Sequence, residues 1–307
     1  MLDYFCNLIL LQRSNKLSKK NIKIGIVQCQ AFKEKAKNIE NMAAAVKTLA
    51  EQGANVICLQ ELFASEYFCF EENHDSFDLA DEINDEIISI YSSISKENNV
   101  VLIASLFEKR APGLYHNTTI VTDNHGKYLG MYRKNHIPDD PGFYEKFYFT
   151  PGDLGYKVFD TDFGKIGTLI CWDQWYPEAA RATALKGADI LFYPTAIGWD
   201  LNATEETNIE EYNAWKTMHL SHAVANGVHV VAVNRIGVEN GTKFWGGSVV
   251  SNPFGTVLFQ GSHENEELKV IEIDLNKGEH YRRVWPYFRD RRIDTYSPLL
   301  KRFDDEL

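Results

Sequence analysis

From Lys23 onward, short apolar runs alternate with longer stretches whose apolar residues recur at helical spacing. That alternation restricts the fold more than any single motif. In Asn55–Gln60, Val56, Ile57, Cys58 and Leu59 follow one another without a polar face, so the strand needs cover on both sides of its sheet. Ile22–Gln28 is a second such run, rich in β-branched residues. Between them, Asn38–Gln52 sets Ile39, Met42, Ala43, Val46, Leu49 and Ala50 along one helical face, and Gly53 supplies the stop. Glu82–Asn98 reads as a second helix and Val100–Ser105 as the strand after it. Asn117–Thr122 and Lys127–Arg133 form a hairpin around Asn124-His125-Gly126, where residues tolerant of positive φ are available.

The second half repeats the pattern. Tyr156–Thr161 and Ile166–Ile170 read as strands, and Pro177 opens a helix that ends at Gly187. Asp189–Pro194 is a strand, Asn213–Asn226 a helix and Val228–Asn234 a strand. Gly247–Ser251 and Thr256–Gln260 flank the turn at residues 252–255, and Leu268–Asp274 comes last. No Gly/Ser/Pro-rich linker or repeat interrupts the series, so residues 21–307 are expected to form one α/β domain. Each half would contribute one sheet to a central pair covered by helices. Residues 1–20 differ: Phe5–Leu11 is too short to span a membrane, and its basic residues follow rather than precede it. They are expected to be a disordered extension or the product of an upstream start codon assigned in error.

A net charge of −11 argues against a nucleic-acid partner and against adhesion to anionic lipid. Five cysteines, an odd number without CxxC spacing, read as reduced thiols in a cytoplasmic protein. His219 and His222 stand three apart on a helix, but no HExxH-type motif accompanies them, so they read as surface or core histidines. Neither a metal nor a cofactor is expected.

Chemistry concentrates at three strand ends. Cys171 ends the apolar stretch Ile166–Ile170 and precedes Pro177, which places a thiol at a strand-to-helix turn beside backbone N–H groups. Glu61 follows the run Asn55–Gln60, where a pocketed carboxylate is suited to general-base work. Lys134 follows Lys127–Arg133; an ammonium beside the thiol is expected to lower its pKa toward neutrality and to stabilise an oxyanion. Each residue alone has an ordinary structural explanation. Together they make a Glu–Lys–Cys set.

This set resembles that of the nitrilase (carbon–nitrogen hydrolase) superfamily: a Glu at a strand end, a Lys before a loop, and a Gly-x-x-x-Cys-x-x-x-x-x-Pro-Glu segment, met here by Gly167, Cys171, Pro177 and Glu178. The resemblance runs from Lys23 to about Pro298. Residues 132–138, 142–153, 193–198, 234–237 and 288–292 are similar to the N-carbamoylputrescine amidase branch. It implies a nitrilase-like four-layer α-β-β-α sandwich with two central mixed sheets, and a second active-site glutamate at Glu145. It also implies hydrolysis of a carbamoyl group through a cysteine thioester. A substrate ending in an ammonium wants a carboxylate and aromatic faces, which Asp200, Trp172 and Trp199 could supply; Tyr67 and His136 are further candidates. The alternatives are another carbamoyl, amide or nitrile substrate on the same machinery, or a non-catalytic scaffold. The expected partner is a small-molecule substrate, and the resemblance also implies a second copy of the chain, in at least a homodimer formed through the C-terminal tail.

Overall fold

The computed structural model describes residues 21–305; the extension expected at 1–20 lies outside them. Six strands form the first sheet: β1 (Asn21–Gln28), β2 (Val56–Leu59), β3 (Val101–Ala111), β4 (Leu114–Thr122), β5 (Tyr128–Arg133) and β15 (Glu267–Asp274), in the order β15-β1-β2-β3-β4-β5. The second holds β6 (Val158–Thr161), β7 (Gly164–Thr168), β8 (Ile190–Thr195), β10 (His229–Asn234), β13 (Val249–Ser251) and β14 (Val257–Gln260), in the order β14-β13-β10-β8-β7-β6. Both are mixed. β2 runs parallel to β1 and β3, and β8 runs parallel to β7 and β10, while their other pairings are antiparallel.

Strand alternation explains the layering. Ile24, Ile26, Val56, Cys58 and Ile103 from the first sheet meet Ile166, Ile190, Phe192, Val231 and Val233 from the second in one buried layer. The opposite residues, such as Ile57, Leu59 and Leu102, pack with Met42, Val46 and Leu49 of α1 (Lys35–Glu51) and with Tyr91 of α2 (Asp85–Asn98). On the far side, Leu191, Val230 and Ala232 meet α4 (Pro177–Leu185) and α5 (Glu205–Asn226) through Ala180, Ala184, Trp215 and Ala223. The result is the expected four-layer α-β-β-α sandwich. Gly167 permits one of its close approaches: a Cβ there would collide with Thr183 Cγ2 of α4.

The halves do not supply one sheet each. β15, from the end of the chain, pairs antiparallel with β1 along all eight residues and forms an edge strand, with Leu268 and Val270 facing the helix layer and Ile271 and Ile273 facing the second sheet. Three short strands form a further sheet, β9 (Gly198–Asp200), β11 (Ile236–Glu239) and β12 (Thr242–Trp245), in the order β11-β12-β9. Besides α3 (Glu145–Tyr148), a last helix, α6 (Asn276–Val284), precedes the tail. The tail is anchored at Phe288, whose ring sits under the guanidinium groups of Arg181 and Arg282 at 5.2 and 4.9 Å. Among the described residues no helix is long and apolar enough to cross a membrane.

Candidate active site

Glu61, Lys134 and Cys171 follow β2, β5 and β7, so the site lies where the carboxyl ends of strands from both sheets converge. Glu61 and Lys134 are fully buried. Lys134 Nζ donates to Glu61 Oε1 at 2.9 Å and to Glu145 Oε2 at 2.6 Å. Asn117 of β4 donates to the same Glu61 oxygen at 2.7 Å. The other Glu61 oxygen, Oε2, is buried with no hydrogen-bond partner among the described residues. One carboxylate oxygen is therefore fixed by two donors while the second is free to take a proton.

Charge inside this pocket is costly, and the pattern of pairing decides who carries it. Burial works against the Lys134 ammonium, but Glu145, Glu61 and Cys171 overcome that and hold its pKa well above the usual lysine value. Burial pushes the Glu145 carboxyl up to about 7, against the opposing pull of Lys134. Tyr67 donates its hydroxyl to Glu145 Oε1 at 2.9 Å, which favours the charged form. The thiol departs from the sequence expectation. Burial and the Glu61 charge raise the Cys171 pKa well above the usual thiol value, and Lys134 only partly offsets them. The resting nucleophile is a thiol rather than a thiolate, so its proton has to leave as it attacks.

Backbone geometry presents both reacting groups. Cys171 opens a 3-10 turn (Cys171–Trp175) at φ +39°, and Leu62, next to Glu61, sits at φ +48°. Left-handed backbone at a non-glycine residue costs about 1–2 kcal/mol and persists only where surrounding bonds enforce it. At the cysteine turn, Asp173 is the enforcer. It is fully buried, and its carboxylate accepts from Ile170 N at 3.0 Å, Tyr132 Oη at 2.7 Å and His136 N at 3.0 Å. Asp173 thus ties the cysteine turn to the loop that carries Lys134.

Cys171 also lines a cavity of about 370 Å³. Its walls include the acidic side chains Asp140, Asp200 and Glu211 and the rings of Trp172, Trp175 and Trp245, and among the described residues no lysine or arginine lines it. Burial, with the neighbouring Asp200 charge, raises the Glu211 pKa. A second, more open groove of about 1020 Å³ runs between α4, α5 and the tail. It lies away from the Glu–Lys–Cys set, so the smaller cavity is the one that matters for chemistry.

A family model described as carbon–nitrogen hydrolase matches residues 23–283. The chain belongs to the carbon–nitrogen hydrolase family. It is 43% identical over 272 residues to an N-carbamoylputrescine amidase of Arabidopsis thaliana, covering 85% of this chain and 90% of that one. It is 36% identical over 291 residues to a citrullinase of Francisella tularensis, covering 92% and 99%. A crystal structure of a carbon–nitrogen hydrolase from Helicobacter pylori superposes with a TM-score of 0.89 at 47% identity, over 92% of this chain and all of that one. This carbon–nitrogen hydrolase therefore acts on C–N bonds other than peptide bonds.

The structure sorts the residues singled out in the sequence. Glu61, Lys134, Glu145 and Cys171 come together, and Trp172 and Asp200 line the cavity of this hydrolase. Trp199 does not line it. Strand alternation along β9 sends Gly198 and Asp200 to the cavity and Trp199 to the other side, where its indole N–H donates to Asn208 O and its ring meets Trp245 and His263. His136 lies outside the cavity walls too, bonded to Asp173 and stacked on Tyr176 at 3.6 Å. Tyr67 is buried against Glu145 rather than set in the wall. His219 and His222 are core residues, and burial depresses both pKa values. Asn117, Asp173 and Glu211 are further residues of the site. Asn117 stands in the polar run His116–Thr119 and Glu211 among the acidic residues of the first turns of α5, where nothing in the sequence marks them out. Asp173, by contrast, lies two residues after Cys171 within its motif. Among the described residues no cluster suits a metal ion.

Proposed function

We propose that this enzyme hydrolyses N-carbamoylputrescine to putrescine, carbon dioxide and ammonia. One observation carries the choice: the cavity that holds Cys171 is walled by three carboxylates and aromatic rings without a cationic side chain. An amine-terminated substrate gains ion pairing and ring contacts there, whereas a carboxylate-bearing one meets repulsion. Four N-carbamoylputrescine amidases at 39–43% identity point the same way.

In this mechanism the free Glu61 oxygen takes the thiol proton as Cys171 sulfur adds to the ureido carbon. Lys134 and the Trp172 backbone N–H stabilise the oxyanion. Glu61 returns the proton to the departing amine, and the C–N bond breaks to leave an S-carbamoyl cysteine. Water, losing a proton to Glu61, attacks that carbon; the thiolate leaves and is reprotonated. The carbamate released breaks down to carbon dioxide and ammonia. Glu145 keeps Lys134 in place throughout. The discriminating assay is ammonia release from N-carbamoylputrescine, citrulline and N-carbamoyl-β-alanine. Higher kcat/KM on the cationic compound is expected, and preference for either carboxylate-bearing one refutes the assignment.

The remaining proposals concern setting and assembly. Four free cysteines among the described residues support a reducing, cytoplasmic location. A second copy of the chain is proposed to cover the open groove, which Leu299 lines, and the exposed Leu300 and Phe303 of the tail. Sedimentation at a monomer mass would contradict that assembly.

A further inference from the structure

Arg235 and Glu239 lie outside the cavity, and no step above uses them. Yet Arg235 is fully buried, and its guanidinium is spent on one short segment of backbone. Nη2 donates to the carbonyls of Glu61 at 3.0 Å, Leu62 at 2.9 Å and Ser65 at 3.2 Å. This is the segment in which Leu62 adopts φ +48°. Nη1 donates to both oxygens of Glu239, at 3.1 and 2.8 Å. Glu239 Oε2 also accepts from Tyr67 N at 2.6 Å, and the Tyr67 hydroxyl is the donor that holds Glu145.

We infer that the Arg235–Glu239 pair is a positioning device that sets both active-site glutamates, Glu61 through its backbone and Glu145 through Tyr67. The inference rests on the reading of Glu61 as the base and Glu145 as the partner of Lys134. A buried ion pair is weak support for stability, since well-packed apolar side chains of similar volume often do as well. What apolar side chains cannot do is gather three carbonyls and a carboxylate at once, which the planar fork of arginine suits and the point charge of lysine does not. The pair also reaches the substrate wall. Glu239 ends β11, β11 pairs with β12, which carries the cavity residue Trp245, and β12 pairs with β9, where Asp200 stands opposite Thr242. Arg235 lies over the Phe244 ring of β12 at 5.3 Å. One small sheet thus joins the wall that meets the amine to the device that sets the base.

The test compares Arg235→Lys, Glu239→Gln and Tyr67→Phe in the full chain, with N-carbamoylputrescine as substrate. For Arg235→Lys, kcat should fall roughly 100-fold, the loss typical of a misplacement near 1 Å, with KM changed less than about threefold. The groups facing Glu145 are Lys134, Glu61, Tyr67 and the thiols of Cys69 and Cys171, and losing the tyrosine bond favours the protonated carboxyl. The acid limb of the kcat profile should therefore move to higher pH in Tyr67→Phe, and in the same direction in Arg235→Lys and Glu239→Gln. A merely structural pair would lower amplitude in proportion to folded protein and leave the limb where it is; that result overturns the inference. Should Arg235→Lys fail to fold, Glu239→Gln decides, because it keeps the side-chain shape while removing the charge and one of the two acceptors that Arg235 and Tyr67 use. Full turnover in Cys171→Ala would sink the hydrolase mechanism itself, whereas an unshifted limb with Cys171→Ala inactive sinks only the positioning role.

Discussion

Replacing Glu145 by glutamine should strengthen the fold above neutral pH while nearly stopping turnover. The buried trio holds two carboxylates and one ammonium, so it carries one uncompensated negative charge when fully ionised. Burial is what raises the Glu145 carboxyl from 4.5 to about 7. Between those values the folded chain keeps a proton that the unfolded chain has released. The stabilising contribution of this group is therefore complete below about 4.5 and is lost as pH rises through about 7. The span, 7 − 4.5 = 2.5 units, corresponds to about 3 kcal/mol at 1.36 kcal/mol per unit. Glutamine does not titrate, and its carbonyl can still accept from Lys134. Urea unfolding of both proteins, followed by tryptophan fluorescence between about pH 5 and 8, reads this directly. The advantage of Glu145→Gln over the parent should grow by about 2–3 kcal/mol across that range. Activity should move oppositely, with kcat down about 100-fold as Lys134 keeps an acceptor but loses the charge that holds its ammonium in place. A stability difference that stays flat with pH would refute the reasoning, because it would mean that Glu145 keeps its unfolded-state affinity for protons in the pocket.

Further outcomes follow from the same geometry. With a raised thiol pKa, Cys171 should react with iodoacetamide near neutral pH no faster than a simple thiol; labelling well ahead of a simple thiol would show a resting thiolate. Asp200→Asn and Glu211→Gln should each raise KM for the cationic substrate about tenfold, the equivalent of 1.4 kcal/mol, with kcat little changed; equal losses on an uncharged amide substrate would deny them the ammonium. Gly167→Ala should destabilise by about 1–3 kcal/mol, because its methyl group meets Thr183 of α4, and a melting temperature equal to the parent's would contradict that packing.

Much of this architecture is legible in the sequence, for physical reasons. β2 and β8 are apolar on both faces because helices and the second sheet cover them, and α1 shows its buried stripe directly. The Glu–Lys–Cys set is visible because each member stands at a strand end within a recognisable motif. Other features depend on tertiary context. The first turns of α5 read Glu-Glu-Thr-Asn-Ile-Glu-Glu, without an apolar period, and are started instead by the Thr204 cap on Thr207 N. β9, β11 and β12 are three or four residues long, too short for alternation to declare itself, which is why Trp199 was expected in the cavity it faces away from. The thiol pKa was misjudged for a related reason: the sequence shows the nearby lysine, but not the burial or the glutamate that outweigh it. The partners of Tyr67 and Asp173 lie across the sandwich, and spacing along the chain does not encode them.

The central claim is that Cys171 itself carries the carbamoyl group during turnover. Acid quenching of the enzyme mixed with excess N-carbamoylputrescine, followed by peptide mass spectrometry, tests this most directly. The Cys171 peptide should gain the mass of one carbamoyl group and lose it on further incubation. An unmodified Cys171 peptide throughout steady-state turnover, with the added mass on another residue or on none, would contradict the account.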